Sequence, residues 1–283
     1  MDQVFTFDRS NDVSKLEGCN TRGVAYRWSI FLDAISTIPK GSDVLDFGAG
    51  SLRESFDLVS RGFNVTSVDM DAELLSSYKS RYVWPNNGTK HDMIATADIF
   101  DGLSRLNGRR FSFVTCFDVL EHLDDPRSAL LAIKELMADG GLLLITVPNG
   151  RTLFELAFRL DLIIARATKR QMRPGEPHLQ RNAPEKWRRI IDSAGLKVLS
   201  HDMQIGFFAN TFAAMVQLPL TFGGRLLRKI GIRVDALAMS EKIINAPQST
   251  AIDFLDRQTK PIFRQLYGWN LFVVERSEVQ GDG

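Results

Sequence analysis

Cysteine is nearly absent from this chain: Cys19 and Cys116 are the only two among 283 residues. No disulfide framework is expected, and a reducing, cytoplasmic setting is the default. The opening residues, Met1 to Asp8, lack a basic region followed by an apolar run, so no secretory signal is read. Long apolar runs are missing too. The nearest approach, Phe207 to Phe222, is short and broken by Asn210, Gln217 and Pro219, so no transmembrane span is expected. Nor is there an excess of charge. The formal net charge is +1, and no basic stripe is interleaved with aromatics, which argues against a nucleic-acid partner. What remains is 44% hydrophobic and 24% charged, in a chain long enough to bury a full core as one elaborated domain or a domain with a lid.

A glycine is also missing where a dinucleotide fingerprint would need its third, because Arg53 stands there. The stretch concerned is Ser42-Asp43-Val44-Leu45-Asp46-Phe47-Gly48-Ala49-Gly50-Ser51. Val44 to Phe47 read as a short buried parallel strand. Gly48 and Gly50 follow where the backbone must turn and let a ligand approach closely. Phe63 to Val68 make a second strand ending in Asp69, 19 residues after Gly50 and placed to accept hydrogen bonds from ribose hydroxyls. His91 to Ala97 make a third ending in Asp98, and Phe111 to Phe117 a fourth running into Asp118-Val119-Leu120-Glu121-His122. Each of the first four strands thus ends in, or leads straight into, a carboxylate.

Between the strands, apolar residues recur at helical spacing. Thr21 to Ile38 form a leading helix, Leu52, Phe56 and Val59 face a second, and Asp71 to Tyr82 form a third. Asp125 reads as an N-cap before Pro126, with Leu130, Ile133 and Met137 as the stripe. Leu142 to Val147 are a fifth strand, Pro184 to Ala194 a helix closed by Gly195, Leu196 to Met203 a sixth strand and Leu271 to Arg276 a seventh. Alternation of this kind gives a doubly wound sheet that binds ligands outside its carboxyl edge.

These segments, together with Ala97-Asp98-Ile99 and Gly140-Gly141-Leu142-Leu143-Leu144-Ile145-Thr146-Val147-Pro148-Asn149, resemble the class I S-adenosylmethionine-dependent methyltransferases, in the branch of the ubiquinone-biosynthesis O-methyltransferases. The family's usual third glycine is Leu52 here. The resemblance implies an α/β fold, a doubly wound seven-stranded Rossmann-like sheet with a mainly helical lid built from two insertions. Residues 1–39 are then an arm and capping helix. The cofactor-binding core is 40–148 with 184–204 and 271–277, the lid is 149–183 and 205–270, and 278–283 are a flexible tail.

The same resemblance implies S-adenosylmethionine as cofactor. Gly48, Ala49 and Gly50 would admit its methionine part, with Asp46 orienting the loop or the amino group. Asp69, followed by Met70, would hold the ribose, and Asp98 the adenine amino group with Ile99 against its face. Phe117 and Asp118 would lie beside the sulfonium, where an aromatic face or a carboxylate is favourable. Each aspartate has a plainer alternative as a helix N-cap or loop residue. His122 is the first candidate base for an oxygen acceptor, and His178 could enter from the lid. Asp118, Glu121, His122 and His178 also resemble the arrangement by which some enzymes of this branch bind a divalent metal; that reading is admitted but not favoured, and no metal ligand is assigned.

The two insertions differ from the core in charge. Residues 151–189 carry ten basic against four acidic residues and 205–270 eight against four, whereas 40–149 carry eleven against sixteen. The expected partner is a small-molecule acceptor, anionic or lipid-linked, and the apolar positions Leu153 to Ile164 ahead of Arg166, Lys169, Arg170 and Arg173 leave peripheral membrane contact open. Three rivals stand: an RNA terminal-hydroxyl methyltransferase, a protein that keeps the cofactor fold without turnover, and a nicotinamide oxidoreductase. Oligomeric state is not legible.

Overall fold

The computed structural model describes residues 22–152, 178–204 and 258–276, with isolated positions between them (155, 156, 159, 163, 167, 211, 215 and 255). The expected arm, tail and most of the lid lie outside the described residues. The chain runs α1 (Arg22–Ser36), β1 (Asp43–Phe47), α2 (Arg53–Ser60), β2 (Asn64–Asp69), α3 (Ala72–Lys79), β3 (His91–Ala95), α4 (Ile99–Ser104), β4 (Phe111–Phe117), α5 (Pro126–Leu136), β5 (Met137–Pro148), α6 (Pro184–Ser193), β6 (Leu196–Gln204) and β7 (Trp269–Arg276). The seven strands form one sheet in the order β3-β2-β1-β4-β5-β7-β6. β7 lies antiparallel between β5 and β6, and the other pairings are parallel. The expected doubly wound α/β sheet is therefore the observed one.

Period-two alternation along the strands builds a core on each face. Leu45, Phe47, Val114, Cys116, Leu143 and Ile145 pack against Leu103, Leu130, Ile133, Trp187 and Ile191 from α4, α5 and α6. Val44, Val65, Phe113 and Leu144 face the other way, onto Phe31 and Ile35 of α1 and Leu58 and Val59 of α2. Asp71 caps α3 through Leu74 N and Asp125 caps α5 through Ser128 N, which satisfies amide groups that the first helical turn leaves without partners.

Two strand boundaries and one helix stand out as differing from the sequence reading. β3 stops at Ala95, so Asp98 stands beyond the strand and caps a helix, α4, that the sequence reading did not contain. α4 lies so close to β2 that a Cβ on Gly102 would sit 2.8 Å from Val68 and from Thr96. β5 begins at Met137, five residues earlier than expected, and reaches Leu142 through an irregularity opposite Phe111 and Phe113.

One buried polar chain crosses the sheet under α2. Asp46 accepts hydrogen bonds from Ser55 Oγ and from Thr115 Oγ1 (2.6 Å), Ser55 Oγ lies 2.7 Å from Ser67 Oγ, and Ser67 Oγ lies 2.8 Å from His91 Nε2. Because the Ser55 hydroxyl is spent on Asp46, Ser67 must donate to Ser55. His91 must then donate from Nε2. Burial, then the nearby Glu54 charge, pushes the Asp46 carboxyl up to about 6. A carboxylate whose folded-state pKa is raised binds more protons when folded. The buried charge therefore costs stability above pH 6, and the cost is relieved as pH falls from about 6 toward the unfolded value of 3.8. Asp46→Asn should gain melting temperature relative to wild type more at pH 8 than at pH 5; the opposite trend in thermal scans would contradict the assignment.

Candidate active site

The site is built on the loop after β1. Gly48 N and Ala49 N both donate to Val68 O, at 2.8 and 3.1 Å, which lays the loop over the end of β2. Gly48 has φ 77°, and a Cβ there would collide with Val119 Cγ2 at 2.1 Å. Gly50 has φ 45°, and the space its Cβ would enter is open, with no atom nearer than Gly48 O at 3.9 Å. The first glycine is thus demanded by the protein, while the second keeps a free side for a ligand.

Leu52, at the family's third glycine position, also adopts the left-handed conformation, with φ 56°. A non-glycine residue there costs about 1–2 kcal/mol, offset by the full burial of its side chain among Ala49, Phe56, Leu75 and Tyr82. Leu52→Ala keeps the strain and loses the packing, for an expected 2–5 kcal/mol. Leu52→Gly should be about 1 kcal/mol less damaging than Leu52→Ala, reversing the usual order of the two residues. Urea unfolding of both variants checks that order.

Asp69 stands at the lip of the loop. Its Oδ2 accepts from Gly50 N at 2.8 Å and its Oδ1 from Asp71 N at 2.9 Å. Asp46, by contrast, is buried, with one oxygen engaged by Ser55 of α2 and the other by Thr115 of β4. The Ile99 side chain is buried in the core with Val68 and Leu103. Exposed apolar side chains do follow these two acids: Met70 after Asp69 and Phe100 just beyond Asp98. Phe100 was not anticipated. Asp98 itself is exposed and uses Oδ1 to accept from Phe100 N at 2.9 Å, so the N-cap reading of this residue holds.

Asp118 follows β4 in a left-handed conformation, φ 57°. Its backbone N donates to Thr146 O, and its Oδ1 accepts from Thr146 Oγ1 at 2.8 Å and Trp269 Nε1 at 3.0 Å. Its Oδ2 accepts from Arg27 Nη1 at 2.9 Å. Arg27, on α1, also reaches Glu54 Oε1 at 3.4 Å and lies over the Phe117 ring, 4.8 Å from its centroid. Burial works against ionisation of Glu54, but the Arg53 and Arg27 guanidiniums outweigh it and hold the carboxyl below its usual range.

A short 3₁₀ turn, Leu120–His122, then carries Glu121 and His122. Residues 178–182 dock on it: Leu179 N and Gln180 N both donate to Glu121 O, and Gln180 Nε2 donates to Leu123 O and Asp124 O. This brings His178 against His122, ring centroids 5.0 Å apart. Glu121, His122 and His178 each offer a ligand atom within 4.8 Å of the others. The Glu121 side chain is 1% exposed, and its Oε2 has no hydrogen-bond partner. Burial, with the Asp118 charge adding to it, pushes its carboxyl well above the usual carboxylate range. His178 is held on its other side by buried Glu155, Nδ1 to Oε1 2.8 Å. Arg27, Glu155 and Trp269 were not singled out in the sequence, because each acts at a distance of tens of residues with no local motif around it.

Residues 21–201 match a family model described as a methyltransferase domain, more than half of the chain. The chain belongs to the class I S-adenosylmethionine-dependent methyltransferase family. It is 31% identical over 113 residues to the ubiquinone biosynthesis O-methyltransferase of Haemophilus ducreyi, covering 40% of this chain and 48% of that protein. It is 29% identical over 140 residues to the protein of the same name from Xanthomonas axonopodis pv. citri, covering 50% and 56%. This methyltransferase-family chain thus spans about half the length of the curated relatives it matches. Among solved structures it is similar to the cyclopropane synthase MmaA2 from Mycobacterium tuberculosis (TM-score 0.55, 16% identity, 93% of this chain and 87% of that one). It is also similar to phosphoethanolamine N-methyltransferase 2 of Haemonchus contortus, solved with S-adenosyl-L-methionine (TM-score 0.55, 16% identity, 89% and 53%). At that identity the likeness shows the fold. The family's cofactor suits the residues present: an open side at Gly50, a carboxylate at the lip, and an aromatic face and an acid after β4. Among the described residues no helix is long and apolar enough to cross a membrane.

Proposed function

We propose that this chain is a methyltransferase that moves the methyl group of S-adenosylmethionine to an oxygen of a small metabolite or of a glycan or lipid intermediate. The observation that carries the reading is His122, a partly exposed imidazole set directly after the Phe117-Asp118 corner and backed by His178. When bound, S-adenosylmethionine supplies a sulfonium-activated methyl group. Asp69 holds the nucleoside, Phe117 and Asp118 present an aromatic face and a negative charge to its positive end, and His122 accepts the hydroxyl proton as the acceptor oxygen attacks in line. The names of the relatives, O-methyltransferases, support oxygen over nitrogen. The basic insertions favour an anionic or lipid-linked acceptor held by residues 149–183 and 205–270.

The test is transfer of labelled methyl to a panel of phenols, hydroxy acids, carboxylates and amines by the purified chain. Transfer confined to amines would overturn the oxygen assignment.

A second reading uses a divalent metal, and one observation favours it: a buried carboxylate with an unpartnered oxygen beside two imidazoles. Glu121, His122 and His178 would hold Mg, Mn or Zn, which would acidify an acceptor hydroxyl. Here removal of metal by a chelator should abolish turnover and its return restore it. On the first reading, turnover survives chelation.

A further inference from the structure

We propose that Tyr82 is a positioning residue for the cofactor: from beyond the end of α3 it locks the Ser51–Leu52 peptide of the glycine loop, and so preserves the open side of Gly50 that the ligand enters. Resting on the family's cofactor, this gives the loop a lock 31 residues away that acts through the backbone rather than on the ligand.

The peptide between Ser51 and Leu52 is pinned at both ends. Its N–H, that of Leu52, donates to Ala49 O at 2.7 Å, and its C=O, that of Ser51, accepts from Tyr82 Oη at 3.1 Å. Just past it the chain takes the left-handed conformation at Leu52, φ 56°. Rotation of this one peptide plane would carry Leu52 to a negative φ and relieve the strain, since a residue with a Cβ disfavours the left-handed region. The plane turns about the line joining its two Cα atoms and leaves the flanking side chains in place, so burial of Leu52 alone does not prevent it. Rotation would break both hydrogen bonds and undo the turn from Ala49 to Leu52 that contains Gly50.

The Tyr82 hydroxyl is held where it opposes that rotation. Tyr82 is 8% exposed; its ring stacks on Phe56 of α2, centroids 4.5 Å apart, and meets Trp84 edge-on at 5.8 Å. The other end of α3 is tied to the site as well. Asp71, its N-cap, donates its backbone N–H to Asp69 Oδ1, while Asp69 Oδ2 accepts from Gly50 N. α3 thus links the acid at the lip to the Ser51 carbonyl of the loop. A glycine at position 52 would adopt the same conformation without strain and need no lock. The lock goes with the leucine.

The test is calorimetric titration of the full chain with S-adenosylhomocysteine in four forms: wild type, Tyr82→Phe, Leu52→Gly and the double variant. Tyr82→Phe keeps the ring and removes the hydroxyl, and should bind on the order of fivefold more weakly, as loss of one hydrogen bond allows. In the Leu52→Gly background, where the left-handed conformation is unstrained, the same change should weaken binding by less than about twofold. A purely structural tyrosine would lower stability against urea without this dependence on residue 52. An equal loss in both backgrounds, or no loss in either, overturns the proposal. Amide exchange followed by NMR decides the matter should Leu52→Gly fail to fold. In Tyr82→Phe the Leu52 amide should exchange at least about fivefold faster, while the Gly48 and Ala49 amides, held by Val68 O, keep their rates. Equal acceleration of all three, or of none, assigns Tyr82 to the fold alone. Failure of wild type to bind S-adenosylhomocysteine overturns the cofactor reading, and the amide rates then judge the lock by themselves.

Discussion

Asp69→Ala is expected to weaken S-adenosylhomocysteine binding by on the order of 100-fold or more. The carboxylate at the lip of the β1 loop has two oxygens, each now accepting from one backbone amide, Gly50 N and Asp71 N. Each oxygen retains the capacity to accept one more hydrogen bond, one for each of the two vicinal hydroxyls of a ribose. A hydrogen bond to a charged group contributes about 1.5–3 kcal/mol, and about 1.4 kcal/mol is a factor of ten, so two such bonds carry the effect. Alanine also releases the loop from the acid that tethers it. Asp69→Asn, which keeps one acceptor oxygen, should fall between the two. The loss should be as large for 5′-methylthioadenosine, which shares the nucleoside but lacks the amino-acid head, as for S-adenosylhomocysteine, because the ribose is common to both. An affinity unchanged in Asp69→Ala would sink the ribose assignment.

His122→Ala should lower kcat by about 10²- to 10⁴-fold, the range that general-base catalysis supplies, while leaving S-adenosylhomocysteine affinity within about twofold. The split follows from position. His122 lies on the turn after β4, packed edge-on against His178, whereas the loop and lip that hold the nucleoside are formed by Gly48, Gly50 and Asp69. A variant with unchanged turnover on an oxygen acceptor would remove His122 from the chemistry, and the metal reading with it, since that reading uses the same imidazole as a ligand.

Much of this architecture was readable because of how apolar runs end. Val44 to Phe47 and Phe111 to Phe117 are buried runs stopped by glycine or aspartate, and the structure places both strands within one residue of the expected limits. α4 was missed for a reason equally physical. Ile99 to Ser104 is a single short helix with Gly102 inside it, which reads as a turn; the glycine is there because β2 comes too close for a side chain. The helical stripe through Met137 reads as running up to Gly140, yet β5 begins at Met137 and passes through Gly140-Gly141.

In the site, residues on the strand ends were accessible to motif reasoning, and their exact partners were not. Ile99, read from its motif beside Asp98, packs with Val68 and Leu103, and Asp46 is tied to Ser55 of α2 and Thr115 of β4. His122 and His178 were rightly suspected of meeting, but Glu155, which holds His178, and Trp269, which holds Asp118, have no local pattern. Their placement depends on the way the chain returns to the sheet, which spacing along a sequence does not encode.

The position of β7 bears on the order in which this protein can be made. β7 lies between β5 and β6 and supplies β6 with its partner in the sheet. Residues 205–268 lie between β6 and β7 in the chain, so a nascent polypeptide exposes β6 as an unpaired strand until residues 269–276 have left the ribosome. Asp118 waits for the same event, since Trp269 is the first residue of β7. The glycine loop, complete by β4, therefore precedes the corner that receives the reactive end of the cofactor, and a chain released early would carry a nucleoside cradle without an assembled reaction centre.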